Sequence, residues 1–356
     1  MLWDIFCKVI DNHGDIGVCW RLAAELAARG EEVRLWIDDA TALGWMAPGR
    51  HDRVTLVKWE EPAPLARPGE VVIEAFGCDP PGTFLTELAR ATARDGRQPA
   101  WINLEYLSAE PYVERSHRLP SPVLHGPARG LTKHFFYPGF TQATGGLIRE
   151  QDFAQRRARV DRPAWLARAG VHMEEHTTYM SLFCYEPAAL AELLSQLARG
   201  PGRTTLLVTE GRPRAAVQRL LPNTHRHGKL SLHFLPFVTQ VEYDHLLWSC
   251  DLNFVRGEDS LVRAIWARKP FVWQAYPQED GAHAAKLHAF VDWLNPPDAL
   301  RRFHSVWNGL ADIALPHPDA QAWAPAAELA ARRAEALPEL VGGLIAFARE
   351  LRAASP

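Results

Sequence analysis

Short apolar segments alternate with amphipathic helices along the first half of the chain. Val18, Leu22 and Leu26 recur at fourfold spacing, which is typical of a helix packed by one face, and Gly30 is placed to end that helix in a left-handed conformation. Another helix is predicted near 84–93. The predicted strands of this half are 2–10, 33–37, 54–59, 71–76 and 100–104. Strands joined by helices in this order predict βαβ units and a parallel sheet.

The alternation breaks at residues 151–168, where arginines cluster around Pro163. An interdomain linker is predicted there, although a solvated helix fits the same residues. A second series of strands is predicted at 177–185, 205–211, 230–237, 251–255 and 270–274. The chain from about 318 to 354 is rich in Ala, Leu, Glu and Arg, and this composition predicts a helical tail.

These patterns predict an α/β fold with two facing Rossmann-like domains and a central cleft. We expect the first domain over 1–155, with a C-terminal helix at about 337–356 packing back on it, and the second domain over 170–336. Open parallel sheets bind ligands outside the carboxyl ends of their strands. The functional residues are therefore sought in loops that follow strands.

Composition narrows the class of protein. The 356 residues are 47% hydrophobic and 23% charged, which is typical of a folded enzyme-sized chain. Lys and Arg number 39 against 42 Asp and Glu, giving a net charge of −3, and no basic block occurs, so we expect no nucleic acid partner.

The sequence also bears on location. Acidic residues and a glycine interrupt the N-terminal segment, and no apolar run approaches the roughly 20 residues that span a bilayer, so we expect a cytoplasmic protein without a membrane partner. The 5 cysteines are scattered without a CxxC pair. Buried thiols are a better interpretation of them than disulfides or zinc ligands.

The first loop of interest joins the first strand to the first helix. Asp11, Asn12 and Asp15 are crowded there with Gly14 and Gly17. A simple turn with a capping aspartate accounts for these residue types equally well. The spacings GxGxxG and GxxxxGK[ST] do not occur here, so neither a nicotinamide cofactor nor a P-loop is indicated.

The second loop of interest, residues 254–260, again joins a strand to a helix. Gly257 allows close approach of a ligand, and Glu258, Asp259 and Ser260 stand at the helix start, where free N–H groups and a hydroxyl can hold a diphosphate. The alternative is an N-cap with Arg256 paired to a nearby acid. A sugar nucleotide needs both an acidic loop and an anion-accepting loop.

Long segments around both loops carry a family resemblance. Residues 5–38, which contain DNHGDIG, and residues 236–278, which contain RGEDS, resemble the EarP-type protein-arginine rhamnosyltransferases, bacterial enzymes that modify translation elongation factor P. Residues 101–122 and 131–141 also resemble family segments. The resemblance thus extends over essentially the whole chain.

The resemblance implies a GT-B glycosyltransferase with two facing Rossmann-like domains. It implies an inverting, metal-independent transfer of rhamnose from dTDP-β-L-rhamnose to an arginine of elongation factor P, with no cofactor. A non-catalytic module that binds the translation factor, and a GT-B enzyme that uses another nucleotide sugar, remain alternatives.

The resemblance also implies roles for individual residues. Asp15 becomes the catalytic base, Asp11 its support, and Glu258 a catalytic position beside the sugar and ribose. The positions implied to bind the donor are Asn12, Gly14, Gly17, Phe183, Tyr185, Phe237, Gln240, Tyr243, Arg256, Gly257, Asp259 and Ser260. Tyr243 departs from the pattern, because other members can have Phe there; this leaves stacking intact and adds a hydroxyl.

Elementary acid–base chemistry limits what Asp15 can do. The pKa of an arginine guanidinium lies roughly 9 units above that of aspartate, so ground-state proton transfer would cost about 12 kcal/mol. Asp15 can instead accept a charge-assisted hydrogen bond and take the proton late, when C–N bonding lowers the basicity of that nitrogen.

Overall fold

The computed structural model describes residues 1–10, 13–49, 51–59, 67–278 and 281–354. The chain forms two compact units. The first unit comprises Met1–Gln151 and the chain from Leu337 onward, and the second comprises Asp152–Ala336.

The first unit is an α/β unit with a parallel sheet. Its strands are β1 (Leu2–Cys7), β2 (Glu32–Ile37), β3 (Val54–Lys58), β4 (Val71–Ala75), β5 (Ala100–Leu104), β6 (Pro120–Pro122) and β7 (Thr132–Phe136). Its helices before the second unit are α1 (Gly14–Ala28), α2 (Leu43–Met46), α3 (Gly82–Asp95) and α4 (Tyr112–Ser116). The strand order is β3-β2-β1-β4-β5-β7-β6, and only β6 pairs antiparallel among these described strands.

The second unit repeats this architecture. Its strands are β8 (Thr177–Leu182), β9 (Arg203–Val208), β10 (Arg226–His227), β11 (Leu230–Phe234), β12 (Leu252–Arg256) and β13 (Phe271–Gln274), in the order β10-β11-β9-β8-β12-β13. Its helices are α5 (Phe153–Ala158), α6 (Arg162–Arg168), α7 (Leu190–Arg199), α8 (Arg212–Leu220), α9 (Gln240–Ser249), α10 (Gly257–Ala267), α11 (Ala282–Leu294), α12 (Asp298–Trp307) and α13 (Ala320–Glu335). Helix α14 (Leu340–Ala354) returns to the first unit.

Each sheet reverses its winding direction once. In the first unit the chain moves outward from β1 through β2 to β3, and then crosses to β4 on the other side of β1. In the second unit it moves from β8 through β9 to β11, and then crosses to β12. The carboxyl ends of β1 and β4, and those of β8 and β12, therefore border the crevices where open α/β sheets bind ligands.

The predicted strands are all present, but several end earlier than predicted. Strand β1 stops at Cys7, and β4 stops before Phe76, whose φ of 60° leaves the extended region. Gly30 has the predicted left-handed conformation, with a φ of 88°.

The connecting segments differ more from the predictions. The residues interpreted as a linker or a solvated helix form α5 and α6, and Pro163 stands in the first turn of α6. The helical tail is divided into α13 and α14, since the backbone between them bridges to Leu147. Strands β6, β7 and β10 were not predicted.

A buried charge cluster joins the helices that follow β11 and β12. Asp244 on α9 accepts two hydrogen bonds from the Arg263 guanidinium of α10, at 2.8 and 2.7 Å, and a third from Arg156 at 3.1 Å. The Arg263 guanidinium also lies 4.5 Å from the centroid of the Phe153 ring. Because a buried charge is stable only when it is paired, this cluster holds α9, α10 and α5 in one arrangement.

All 5 cysteines are buried and free, as predicted. Across the described ranges, no helix has the length and apolar character needed to cross a membrane.

Candidate functional site

The loop after β1 is anchored by two aspartates. The Asp15 carboxylate, only 4% exposed, accepts a hydrogen bond from the Ile10 N–H at 2.9 Å, and Asp38 accepts one from the Val9 N–H at 3.0 Å. Asp15 is the second residue of α1, which Gly14 begins. The carboxylate is thus both held by the loop and placed at the N-terminal end of a helix dipole, which stabilises its negative charge.

The other predicted residues of this loop are partly described. Gly17 is buried in the first turn of α1, where its N–H donates to the His13 carbonyl at 3.1 Å. Asp11 and Asn12, predicted as the supporting carboxylate and a donor-binding residue, lie outside the described residues.

Three thiols surround the base of this loop. A hydrogen bond with the Cys7 side chain, together with burial and the nearby carboxylate of Asp15, raises the pKa of Cys19. Burial raises the pKa of Cys78 to about 12, and its thiol donates to the Phe6 carbonyl at 3.1 Å. The Cys19 and Cys78 thiols therefore stay protonated at neutral pH and are poor nucleophiles.

A cavity of about 510 Å³ opens at the carboxyl edge of the first sheet. Its lining comes from the segments after β1, β2, β3 and β4, and comprises Lys8, Ile10, Asp38, Trp59, Ala75, Phe76, Gly77, Cys78 and Asp79. Phe76 and Gly77 both have positive φ, 60° and 68°, so the chain turns sharply where it borders the cavity. A non-glycine residue in that conformation is strained, and such strain is concentrated at binding sites. Sequence reasoning missed this cavity.

An arginine stacked on two aromatic rings lies at the carboxyl edge of the second sheet. The Arg256 guanidinium lies 4.5 Å from the Phe183 ring centroid and 4.3 Å from that of Tyr185. Phe183 and Tyr185 follow β8, and Arg256 ends β12, so the contact spans the point where the sheet reverses direction. A cation held on two aromatic faces, with only 5% exposure, places positive charge at the edge where ligands of such sheets bind.

The turn after β12 has the geometry of an anion site. Gly257 has a φ of 64°, which favours glycine, and α10 begins there with Arg256 at its N-cap. Ser260 is buried; its hydroxyl donates to the Arg256 carbonyl and accepts from the Arg256 N–H at 3.0 Å. The first N–H groups of α10 and its dipole therefore lie beside Arg256, and Glu258 and Asp259 are half-buried in the same turn.

Glu258 has a partner that sequence reasoning missed. Its carboxylate forms an ion pair with the ammonium of Lys286 on α11. No motif surrounds Lys286, and the two residues lie 28 positions apart along the chain, so only the tertiary structure reveals the pair.

Three further predicted residues follow β11. Gln240 begins α9 and is buried, after Thr239 caps the helix by accepting the Glu242 N–H at 3.1 Å. Tyr243 lies one turn later, with its ring edge-on to Phe183 at 5.5 Å between centroids. Phe237 is 50% exposed.

A series of hydrogen bonds from β13 and α12 supports the turn at Gly257. The Trp273 indole N–H donates to the Gly257 carbonyl at 2.7 Å, and the Trp273 backbone N–H donates to Nε2 of His304 at 3.1 Å. With Nε2 as acceptor, Nδ1 of His304 carries the proton and donates a hydrogen bond to the Leu300 carbonyl at 3.0 Å. Burial lowers the pKa of His304 to about 4, with the Leu300 hydrogen bond opposing and the Arg301 charge adding to the shift. His304 is therefore neutral at pH 7, as its acceptor role requires.

The described residues contain no group of three or more His, Cys, Asp or Glu side chains placed to hold a metal ion. The absence of a metal or cofactor stays a prediction.

The fold defines the class of protein. A solved structure described as "Structural basis for EarP-mediated arginine glycosylation of translation elongation factor EF-P" superposes with a TM-score of 0.65 at 30% identity, covering 98% of this chain and 99% of that one. The spinosyn rhamnosyltransferase SpnG with its aglycone shares the fold, with a TM-score of 0.54 at 13% identity over 98% of this chain and all of that one. The chain has the α/β fold of GT-B glycosyltransferases, as predicted.

The sequence relatives define the family. The profile of the family described as "Elongation-Factor P (EF-P) rhamnosyltransferase EarP" matches residues 3–349. A protein-arginine rhamnosyltransferase of Pseudomonas aeruginosa is 43% identical over 88% of each chain, and one of Pseudomonas putida is 41% identical over 98% of each. The chain belongs to the EarP family and is an enzyme, a glycosyltransferase. The alternative of a non-catalytic module is set aside by this membership.

The neutral His304 makes stability depend on pH. Its pKa is about 4 in the folded chain and about 6.5 when unfolded, so between these values the unfolded state binds more protons. The contribution of neutral His304 to the free energy of unfolding is complete above about pH 6.5 and decreases as the pH falls. The loss reaches about 2–3 kcal/mol by pH 4.5. Urea unfolding at pH 7.5 and 4.5 measures this loss, and His304→Asn should reduce the difference in the free energy of unfolding between the two pH values. The exposed His227→Asn variant should keep the full difference; equal differences in both variants would contradict the assignment.

Proposed function

We propose that this enzyme transfers an L-rhamnosyl group from dTDP-β-L-rhamnose to an arginine side chain of translation elongation factor P. Membership of the EarP family supports the reaction, and the names of the relatives support arginine as acceptor. The observation that supports the chemistry is a pair of sites, each at the point where a sheet reverses its winding direction. One holds a buried carboxylate, Asp15, and the other holds a stacked cation, Arg256, beside a helix N-terminus.

In this proposal the second unit holds the donor. The backbone N–H groups at Gly257–Ser260 and the α10 dipole receive the diphosphate, and the Arg256 guanidinium adds a full positive charge. The exposed Phe237 ring, with Gln240 and Tyr243 nearby on α9, receives the thymine. These preoriented donors stabilise the charge that grows on the leaving diphosphate.

The first unit supplies the base. The glycosidic C–O bond breaks toward dTDP while a guanidinium nitrogen forms the new C–N bond, and the proton of that nitrogen passes to Asp15. Full deprotonation before bond formation would cost about 12 kcal/mol, so the transfer must be late. The Ile10 N–H holds the carboxylate at 2.9 Å in one orientation for this step.

Replacement of the proposed base separates chemistry from folding. Asp15→Asn keeps the shape of the side chain, and its amide oxygen can still accept the Ile10 N–H. We expect loss of at least about a hundredfold in transfer rate with near-normal dTDP affinity, as removal of a general base typically costs. Intact-protein mass spectrometry of elongation factor P measures the gain of one deoxyhexose.

Asp39→Asn is the matched control, because Asp39 is also a loop carboxylate of the first unit that accepts a backbone N–H, from Thr41 at 2.9 Å. It should keep wild-type activity. Transfer by Asp15→Asn at the wild-type rate would show that another group is the base.

The donor-site residues should act on binding. We expect Glu258→Ala and Ser260→Ala to weaken dTDP or dTDP-rhamnose binding by about tenfold, since each removes a polar group that shapes the turn. Titration calorimetry measures both ligands. The surface Glu174→Ala variant, which breaks only the exposed pair with Arg203 at 3.2 Å, should bind normally. Unchanged affinities in the two turn variants would contradict this part of the proposal.

The cavity of the first unit is the proposed binding site for the acceptor residues that neighbour the modified arginine. It lies where the sheet reverses direction, and Ile10, which contributes to its wall, also binds Asp15. An arginine bound by Asp15 would therefore bring neighbouring residues of its chain to the cavity. The lining carries two carboxylates, Asp38 and Asp79, against the single ammonium of Lys8. With the ring of Trp59, this balance suits a segment that carries basic side chains.

Charge reversal at the cavity should weaken acceptor recognition selectively. We expect Asp79→Lys to raise KM for the protein acceptor about tenfold, because it places like charges together, and to leave dTDP affinity unchanged. Glu87→Lys makes the same charge change on the outer surface of α3 and should be neutral. An unchanged KM in Asp79→Lys would remove the cavity from the acceptor site.

The remaining alternative is a GT-B enzyme that uses another nucleotide sugar. Competition of UDP against dTDP for the wild-type chain distinguishes the donors, because UDP lacks the thymine methyl and carries a ribose 2′-hydroxyl that dTDP lacks. Tighter binding of UDP would favour the alternative.

A further inference from the structure

The ring of Tyr243 is sufficient for stacking, so its hydroxyl has no role in the proposed function. The ring is fixed among the residues at the carboxyl edge of the second sheet: it lies edge-on to Phe183 at 5.5 Å, and the Arg256 guanidinium covers Phe183 at 4.5 Å. Asp244, the next residue, is held by Arg263. The position of the Tyr243 hydroxyl is therefore set by the packing of α9.

This hydroxyl is buried and has no hydrogen-bond partner among the described residues. The Ser260 hydroxyl lies close to it, but that hydroxyl donates to the Arg256 carbonyl and accepts the Arg256 N–H, and the Tyr243 hydroxyl does not meet it in hydrogen-bond geometry. Burial raises the pKa of Tyr243, and the opposing effects of Ser260 and Arg256 do not restore it. The group is thus a neutral O–H donor throughout the physiological pH range.

A buried donor without an acceptor is unfavourable in the folded chain. Phenylalanine would fill the same volume and make the same edge contact without that penalty. A ligand oxygen in the site would satisfy the hydroxyl, and charged acceptors form the stronger hydrogen bonds. The neighbours of the hydroxyl are Ser260, Asp259 and Arg256, which belong to the turn proposed to hold a diphosphate.

We propose that the Tyr243 hydroxyl donates a hydrogen bond to a diphosphate oxygen of the nucleotide-sugar donor. Tyr243 is then a specificity-determining residue that favours nucleoside diphosphates over nucleosides, beyond any stacking of its ring on the base. This inference rests on the proposed function, because it takes the donor to bind at the Gly257–Ser260 turn.

The test compares Tyr243→Phe with the wild type for dTDP and for thymidine, which has no phosphate. The variant should bind dTDP about tenfold more weakly, the loss expected for one hydrogen bond to a charged group, and thymidine equally well. Calorimetry measures dTDP, and displacement of dTDP measures thymidine. Without ligand, the melting temperature of Tyr243→Phe should equal or exceed that of the wild type, because the unsatisfied donor is removed.

Tyr179→Phe is the matched control in the same unit. The Tyr179 hydroxyl is also buried, but it accepts the Glu174 N–H at 2.8 Å and bonds to the His172 carbonyl at 3.4 Å. Its removal should lower the melting temperature and leave dTDP affinity unchanged. Tyr243→Phe should therefore weaken dTDP binding without loss of stability, whereas Tyr179→Phe should lower stability without weaker dTDP binding.

Three results would overturn the inference. Equal dTDP affinity in wild type and Tyr243→Phe would show that the hydroxyl does not contact the ligand. An equal loss for thymidine would assign the hydroxyl to the nucleoside, and a lower melting temperature with weaker binding would show a structural role. A wild-type chain that fails to bind dTDP would overturn the proposed function itself, which distinguishes that failure from the others.

Discussion

The contact of the Arg256 guanidinium with the rings of Phe183 and Tyr185 is the interaction on which the second unit's site depends. A guanidinium removed from water needs compensation, and the two aromatic faces at 4.5 and 4.3 Å supply part of it. The contact joins the loop after β8 to the end of β12. It therefore fixes both borders of the crevice at once and leaves a positive charge beside the first turn of α10.

The surrounding structure keeps this arrangement rigid. The buried Asp244–Arg263 pair sets α9 against α10, and Trp273 holds the carbonyl of Gly257 while His304 holds the backbone of Trp273. Because a buried ion pair and a buried neutral histidine both need specific partners, these contacts support the turn in the conformation described. A preoriented turn can stabilise developing charge without reorganising, which is the property that the proposed transfer requires.

The first unit follows the same principle with the opposite charge. Asp15 is buried at the start of α1, and the backbone of the preceding loop, together with the helix dipole, stabilises its ionised form. The cavity beside it is assembled from the ends of four strands. Only the loop after β1 is unusual in composition among those strand ends, and nothing in the sequence of the other three indicates that they meet it, so the cavity itself had no sequence signal.

The sequence by itself determined the elements whose signal is local. The strand at 100–104 was predicted to the residue, and both loops that carry Asp15 and Arg256–Ser260 were found, because apolar periodicity and turn residues depend on near neighbours along the chain. Tertiary structure alone decided the Glu258–Lys286 pair, the antiparallel β6–β7 pairing, the division of the tail into α13 and α14, and the unsatisfied hydroxyl of Tyr243. Each of these depends on which distant segments meet in the fold, and that is settled by packing among residues far apart along the chain.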